Sequence, residues 1–472
     1  MNVKVLVSAL AVTFGVCGFG AYGQTPVHLT LDKCISIALN ENPTIKIADM
    51  EITRVDYSKK EVIGQLLPTI DFNGQYSRTL AKQTMYMNMD AFGGMGDDNG
   101  AEAQPQSVER SGGNNGIKVG LDNSYSLGFS ASLPLIAPQL WKSLKLSDTQ
   151  ILKSVEQARS SRLDMINQVK SAYYSLLLAE DSRKVLQESY DMAALNHEIY
   201  SKKYEAGAAS DYDVLRTSVA MKNVEPEIIQ ADIAIKQARL QLLILMGLDA
   251  DFAFSVEGSL SDYEAGMYET VMLIDPDYSK NSQLVLNDID TKILDHNVSI
   301  QKLSFVPTLA LTANYNWTSM NNGTPFSNLR WNPYSSIGVA LSIPIFQGGQ
   351  RYSRLKQAEV QLMEMKWQRE NLERSVAMQV NLAIDNIRMN VKQISSSSES
   401  VAQAERAHSI MEKSFEIGAA SYLDLRDSEL ALTQARLAYN QSIYNFLVAN
   451  SELELLLGSA PIEKYEAMDT DL

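Results

Sequence analysis

The chain contains one segment twice, and this repetition limits the folds that it can adopt. Residues 204–213 and 415–424 share the pattern aromatic-Glu-x-Gly-Ala-Ala-Ser-x-x-Asp, at an offset of 211 residues. At an offset of 210, residues 126–135 match 336–345, and both stretches alternate small with apolar residues. The sequence therefore indicates a tandem duplication, with repeats at 24–247 and 282–458, a linker at 248–281 and an acidic tail at 459–472.

Residues 1–23 are expected to be a cleaved secretory signal. Lys4 precedes a short apolar run, and small residues stand just before the expected cut after Gly23. The run is too short to cross a bilayer as a helix. Removing the signal changes the formal net charge from −15 to −16, which argues against a nucleic-acid partner. Cys34 is then the one remaining cysteine, which excludes an internal disulfide.

Two hairpins, expected at 67–134 and 306–346, carry strands that alternate between an apolar and a polar face. Each strand has about ten residues, the length that a tilted membrane strand requires. A soluble sheet shows the same alternation, but the polar faces carry small, mostly uncharged residues, which favours a membrane sheet. Four strands cannot close a membrane barrel, which begins at about eight, and open edges are not tolerated in lipid. Oligomerisation is therefore expected.

The remaining residues predict helices too long for an ordinary globular domain. Residues 139–204 and 350–416 contain no proline or glycine, and roughly 66 residues at 1.5 Å each extend about 100 Å. Apolar residues spaced alternately by four and three positions predict a coiled-coil seam. Each long helix ends at a glycine turn, and a return helix follows. The return helices are expected at 211–247 and 421–457.

Shorter helices, expected at 43–64 and 282–303, lead into the two hairpins. The C-terminal return helix is expected to complete one helical column together with the N-terminal short helix. Proline and glycine residues mark the places where strands and helices should meet. These residues are Pro68, Pro134, Pro307, Pro344, Gly348 and Gly349.

Two motifs carry a resemblance to a known family. They are the stretch Ile343-Pro-Ile-Phe-Gln-Gly-Gly-Gln-Arg351, followed by Ala358, and the Gly-x5-Asp turn that occurs once in each repeat. Nearly all of the chain after the signal resembles the outer membrane efflux protein family, the TolC-like channels. The resemblance implies an α+β membrane protein that forms a homotrimer. Four strands per protomer would give a twelve-stranded outer-membrane β-barrel, continued by a long periplasmic coiled-coil α-barrel.

The resemblance also implies partners and a location. The protein would lie in the outer membrane, in contact with lipid, with a large periplasmic extension. A periplasmic adaptor (membrane fusion) protein and an inner-membrane pump of the RND or ABC type would complete the export system. The glycine turns would form the adaptor-docking tip, at Gly207, Ala208, Gly418 and Ala419.

The resemblance places a periplasmic gate at the same tip. Asp424 and Asp427 match the acids of the family's aperture, and Asp213 matches an acid of its closing network. Aspartates in the first turn of a helix also serve as N-caps, and this alternative stays open. The chain departs from the family at Ala420 and Phe415, where an arginine and a tyrosine are expected. Arg216 or Arg426 would then have to replace the missing arginine.

The sequence lacks a constellation for catalysis. The four histidines and one cysteine that follow the signal show no metal-ligand spacing, and neither a nucleophile elbow nor a phosphate loop is present. No enzyme activity, cofactor or metal is therefore expected. His197 and His408 occupy the same position in the two repeats. Two roles are open for them, as polar residues within a coiled-coil seam or as proton sensors. The expected function is passive export of small molecules. The alternatives are type I protein secretion and a secreted coiled-coil scaffold or adhesin.

Overall fold

The computed structural model describes residues 27–85, 117–266 and 277–468. The expected signal at 1–23 and the last four residues of the tail lie outside the described residues. Helix dominates the described part, with strands beside it, so the α+β class is confirmed. The helices are α1 Leu31–Glu41, α2 Pro43–Gly64, α3 Pro138–Glu205, α4 Asp211–Met246, α5 Ser282–Leu303, α6 Gln350–Glu416, α7 Tyr422–Leu457 and α8 Ile462–Glu466.

Eight strands accompany these helices in the described ranges. They are β1 Val27–Leu29, β2 Thr69–Arg78, β3 Gln83–Met85, β4 Ile117–Val119, β5 Asn123–Ile136, β6 Phe254–Val256, β7 Thr308–Asn321 and β8 Asn332–Ser342. One antiparallel sheet has the order β2-β5-β7-β8. β1 pairs with β6 in parallel, and β3 pairs with β4. A helix both long and apolar enough to cross a bilayer does not occur in these ranges.

The chain forms two compact units, and each takes residues from both repeats. Unit 1 contains the described residues up to Met50, then Glu156–Val285, and those from Leu372 onward. Unit 2 contains Glu51–Val155 and Leu286–Asn371. The compact units therefore do not follow the boundary between the repeats, and α3 and α6 contribute to both units.

In unit 2, the sheet register brings the apolar positions of all four strands into rows. Ile70 lies opposite Ala131, which lies opposite Ala313, and Ala313 lies opposite Ile337. Side chains on this face also stack, as the rings of Phe72 and Phe129 do at 4.9 Å. The edge strands are exposed, with Ile70 at 72% and Ile337 at 77%. One continuous apolar face is thus left uncovered by the described residues.

Prolines and glycines lie where helices and strands meet. Pro68 directly precedes β2, and Pro307 directly precedes β7. Pro344 lies between β8 and α6, together with Gly348 and Gly349, whose φ angles are 55° and 77°. Such positive φ angles suit glycine, so the turn into α6 uses both glycines.

Pro134 is an exception, because it lies inside β5 and not at the junction predicted for it. The pairing of β5 with β7 shifts register between Pro134 and Ile136. A proline has no N–H to donate to a sheet, and a bulge accommodates this gap. The helix after β5 begins instead at Pro138, a position that proline favours.

Unit 1 has a hydrophobic core built around α1 and the middle of α3. Ile35 and Tyr173 are almost fully buried there, and the Tyr173 hydroxyl donates to the Glu257 carbonyl oxygen at 2.7 Å. Burial raises the pKa of the Cys34 thiol to about 12, so this cysteine stays protonated. The predicted acidic tail contributes too, because Tyr465 in α8 is buried against this core.

The C-terminal return helix meets a short helix other than the one predicted for it. The end of α4 meets the start of α2, where Asn42 Nδ2 donates to the Leu245 carbonyl oxygen at 2.8 Å. The end of α7 meets the start of α5, where Asn281 Nδ2 donates to the Leu456 carbonyl oxygen at 2.8 Å. The predicted pairing of the C-terminal return helix with the N-terminal short helix is therefore wrong. Each asparagine satisfies a carbonyl that the end of a helix leaves without a partner.

Candidate functional site

The two glycine turns of unit 1 share one backbone geometry. We call residues 206–210 the first tip turn and residues 417–421 the second tip turn. Gly207 and Gly418 have φ angles of 72° and 75°. The N–H of the following alanine donates in both turns to a carbonyl five residues earlier, at 2.7 Å. The N–H of each glycine donates three residues back. These paired bonds form a Schellman motif, which ends a helix at a left-handed glycine.

A capping box begins each return helix. Ser210 Oγ accepts the Asp213 N–H at 3.2 Å, and Asp213 Oδ2 accepts the Ser210 N–H at 3.1 Å. Ser421 and Asp424 repeat these bonds at 3.3 and 3.0 Å. Hydrogen bonds from the serine side chain and backbone lower the pKa of both aspartates. The structure thus shows N-capping for Asp213 and Asp424, and their role in a gate stays a prediction.

Asp427 differs from these two aspartates. It is exposed on α7, three residues after Asp424, and so lies on the same face of the helix one turn later. The cap of α7 is made by Ser421 and Asp424, so Asp427 has no part in it. Its place at the gate is likewise a prediction.

A histidine–hydroxyl contact joins each long helix to its return helix. His197 Nδ1 lies 3.1 Å from Thr217 Oγ1, and His408 Nδ1 lies 3.4 Å from Ser428 Oγ. Both hydroxyl residues are buried. Buried polar groups need hydrogen-bond partners, so these histidines act as polar contacts within the two seams.

Aromatic and cationic side chains cluster beside the second tip turn. The ring of Tyr422 lies 5.3 Å from that of Tyr200 and 5.1 Å from the Arg216 guanidinium. Lys203 Nζ lies 5.3 Å from the ring of Phe415. Distances of this kind allow cation–π attraction. Of these residues, sequence reasoning singled out Arg216 and Phe415 but not their partners, because nothing local in the sequence predicts a contact between the repeats.

A cavity of about 330 Å³ lies next to this cluster, between α3, α6 and α7. Its wall is partly apolar and partly acidic. Asn196 Nδ2 donates to Glu429 Oε1 at 3.0 Å, and burial raises the pKa of Glu429. Lys203 lies in the same wall as the carboxylates. The lining includes Met192, Leu195, Ile199, Glu412, Glu416 and Leu425.

The chain is similar to known proteins over most of its length. Residues 34–248 and 289–459 match the family model described as outer membrane efflux protein. The outer membrane protein TolC of Vibrio cholerae is 21% identical over 348 residues, which cover 73% of this chain and 79% of that protein. The alkaline protease secretion protein AprF of Pseudomonas aeruginosa is 22% identical over 344 residues, covering 71% and 70%.

A solved structure shows the same fold. The outer membrane protein VceC from Vibrio cholerae superposes with a TM-score of 0.67 at 17% identity. The superposition covers 91% of this chain and 96% of that one. The fold is therefore that of a TolC-like outer membrane channel.

Proposed function

We propose, since the chain belongs to the outer membrane efflux protein family, that three copies assemble into one exit duct. The match to the family model confirms the resemblance that the sequence motifs indicated. The protein is an outer-membrane exit duct for efflux, with a large helical extension in the periplasm. Its family is a family of channels and not of enzymes. Assembly, partners and gate are the parts that we propose.

The exposed sheet of unit 2 is the observation that carries the proposal of assembly. The edge strands β2 and β8 are exposed along their whole length, and large apolar side chains on both, such as Ile70 and Ile337, remain mostly uncovered. Open strand edges and unpaired backbone groups are not tolerated in lipid. Pairing β2 of one copy with β8 of the next removes every edge. Three copies supply twelve strands, above the minimum of about eight.

A second surface supports self-association, on α4 in unit 1. Leu215, Val219, Ile229, Ile233 and Leu240 occupy five of the eight positions in a register that steps alternately by four and three residues, as in a coiled-coil seam. The other three positions are Lys222, Pro226 and Lys236. All five apolar residues are exposed. An apolar seam of this spacing packs against the helix of a partner, and a second copy of the chain provides one.

Native mass spectrometry of the detergent-extracted protein tests the assembly. We expect a trimer, because removing the strand edges requires other copies. The test variant Ser335→Lys places a charge on the apolar face of edge strand β8, and this charge should weaken the trimer. A stable membrane-inserted monomer would contradict the proposal.

The tip turns are the proposed docking site for a periplasmic adaptor. An inner-membrane pump of the RND or ABC type would deliver the exported substrate to this adaptor. Gly207 and Gly418 have positive φ, and a Cβ added at either glycine would meet no atom within 4 Å. Replacing both with valine, a β-branched residue, therefore strains each turn by about 1–2 kcal/mol or more. We expect the trimer to survive and drug export to fall. Unchanged export by the double variant would argue against tip docking.

A gate at the tips is proposed from Asp424, Asp427 and Asp213. In a trimer, Asp424 and Asp427 would supply six carboxylates in two rings one helical turn apart, and like charges near a constriction favour cations. The capping bonds of Asp424 are compatible with this role, because a carboxylate that accepts hydrogen bonds keeps its charge.

Protein secretion is the second candidate function. The similarity to the alkaline protease secretion protein AprF favours it. A deletion strain separates the two functions. Loss of drug resistance with normal protein secretion supports efflux, and the reverse supports secretion. Family membership favours either function over a scaffold without a pore.

A further inference from the structure

Two contacts at the tip connect the hairpin of the first repeat to that of the second. Arg216, in the first turns of α4, places its guanidinium 5.1 Å from the centre of the Tyr422 ring. Lys203, near the end of α3, places Nζ 5.3 Å from the centre of the Phe415 ring. Both cations come from the first repeat, and both rings come from the second.

The Arg216 contact is the better shielded of the two. Tyr422 is only 7% exposed, and the ring of Tyr200 packs against its edge at 5.3 Å. Arg216 Nη2 is buried and donates to no acceptor that the structure describes. A guanidinium that is shielded from water and has an unpaired nitrogen gains most from an aromatic face. The ring of Tyr422 faces this guanidinium, and the Asp213 carboxylate also attracts Arg216.

Comparison of the two repeats shows that these cation–aromatic contacts are not reciprocal, because only the first repeat supplies the cations. At the offset of 211, Arg216 corresponds to Asp427, and Tyr422 corresponds to Asp211. Lys203 corresponds to Ser414. The second repeat therefore has no cation at either position to offer to the first. The contacts therefore depend on residues that differ between the two repeats, and not on residues that both repeats share.

We propose that Arg216 and Tyr422 form a cation–π latch that holds the two tip turns of each protomer together when the inner mouth is closed. Tyr422 is the first residue of α7, next to the Ser421 cap, so the contact fixes the start of the helix that carries Asp424 and Asp427. This inference rests on the proposed gate. The two residues act as positioning residues, since they set where the gate helix begins.

The latch has properties that an ion pair between arginine and aspartate lacks. Arginine stays charged at every physiological pH, and a ring has no charge to lose. Screening by salt weakens exposed ion pairs but acts much less on buried contacts. Closure of the mouth should therefore resist both mild acid and added salt.

Single-channel recording in planar bilayers tests the latch. We expect Arg216→Met and Tyr422→Leu each to shift the closed-to-open equilibrium about tenfold towards open. Tyr422→Phe keeps the aromatic face and should match the wild type. The double variant Arg216→Met/Tyr422→Leu should open no more than either single variant, because both remove the same contact. Arg406→Met removes an exposed arginine of α6 outside the latch and serves as the matched control.

A salt series distinguishes a shielded cation–π contact from an exposed ion pair. Raising KCl from about 0.1 to 1 M should not lower the closed fraction of the wild type, because salt acts little on a buried contact and also screens the repulsion among the gate carboxylates. Closure that weakens with salt would overturn the proposal, as would Arg216→Met with wild-type opening. If Arg216→Met fails to assemble, Tyr422→Phe and Tyr422→Leu decide, because both keep the arginine. A wild type that forms neither trimers nor channels would overturn the proposed duct, whereas channels that are insensitive to Arg216 overturn only the latch.

Discussion

The first tip turn is followed by Asp211 and Arg216, whereas the second is followed by Tyr422 and Asp427 at the equivalent positions. The backbones of the two turns nevertheless agree closely. Both have a left-handed glycine with a Schellman motif, both have a Ser–Asp capping box, and both have a histidine–hydroxyl contact. The duplicated hairpins thus kept their backbone chemistry, whereas other side chains beside the turns diverged.

This difference separates the residues that build each turn from the residues that contact the other hairpin. Glycine, serine and the capping aspartate are required by backbone geometry, and so the same types stand in both copies. The side chains around them are free to differ, and their differences let the first hairpin bind the second. Substitutions at shared positions should therefore act equally on both hairpins, and substitutions at divergent positions should act on one.

The largest expected effect concerns the glycines that end the return helices. A Cβ at Gly247 would lie 2.9 Å from the Glu41 carbonyl oxygen, and at Gly458 it would overlap the Lys280 carbonyl oxygen. Both glycines also have positive φ. We expect Gly247→Ala and Gly458→Ala to lower the free energy of unfolding by about 3 kcal/mol or more, with Gly458→Ala the more severe.

Denaturant unfolding of the detergent-solubilised protein measures this effect. Gly207→Ala is the control, because it has the same backbone strain without a neighbouring atom, and it should cost about 1–2 kcal/mol. A loss at Gly458 no larger than at Gly207 would show that the helix ends are not closely packed.

Ion selectivity should separate the two tip turns. Asp424→Asn/Asp427→Asn removes the charges while the amide oxygen still accepts the Ser421 N–H, so the cap is preserved. We expect the preference for cations over anions to fall about threefold or more in planar bilayers. Asp211→Ala removes an exposed carboxylate beside the first tip turn and should leave the preference unchanged. Equal loss in both variants would place the constriction elsewhere.

The capping serines should behave alike in both hairpins. Ser210→Ala and Ser421→Ala each remove the acceptor for an aspartate N–H, at a cost of about 1 kcal/mol of unfolding free energy. Thermal unfolding of the two variants checks whether the costs agree. A much greater cost at Ser421 would indicate that the contacts of Tyr422 depend on the cap.

The smallest effect is a dependence on acid that both turns share. The folded-state pKa values of Asp213 and Asp424 are lowered from 3.8 by their bonds to serine. Their contribution to stability is therefore complete above the unfolded pKa and is lost as the pH falls through the folded pKa. Unfolding midpoints of wild type and Ser210→Ala/Ser421→Ala should converge as the pH is lowered from about 6 to 3. A constant difference would contradict this assignment.

The helices could be read from the sequence because their ends carry local signals. Glycine and proline interrupt the coiled-coil pattern, and the long helices run Pro138–Glu205 and Gln350–Glu416, close to the predicted 139–204 and 350–416. Alternation likewise indicated the four strands of the main sheet. Pro134 misled the prediction, because a bulge lets a proline sit inside a strand.

Long-range pairing could not be read in the same way. β1 and β6 have three residues each and pair across more than 220 positions, with no alternation long enough to recognise. The end of α4 meets the start of α2 through one asparagine bond and the close approach of Gly247 to Glu41. The contact between Arg216 and Tyr422 joins two repeats whose local patterns are complete without it. In each case tertiary packing, and not local preference, selects the partner.

The closing of unit 1 by residues from distant parts of the chain has a consequence for biogenesis. Lys464 in α8 pairs with Asp32 in α1, 432 positions away, at 2.7 Å. Ser36 Oγ donates to the Met468 carbonyl oxygen over the same separation. A polypeptide that stops short of α8 leaves α1 without this cover. Incomplete products of translation therefore lack part of the finished core.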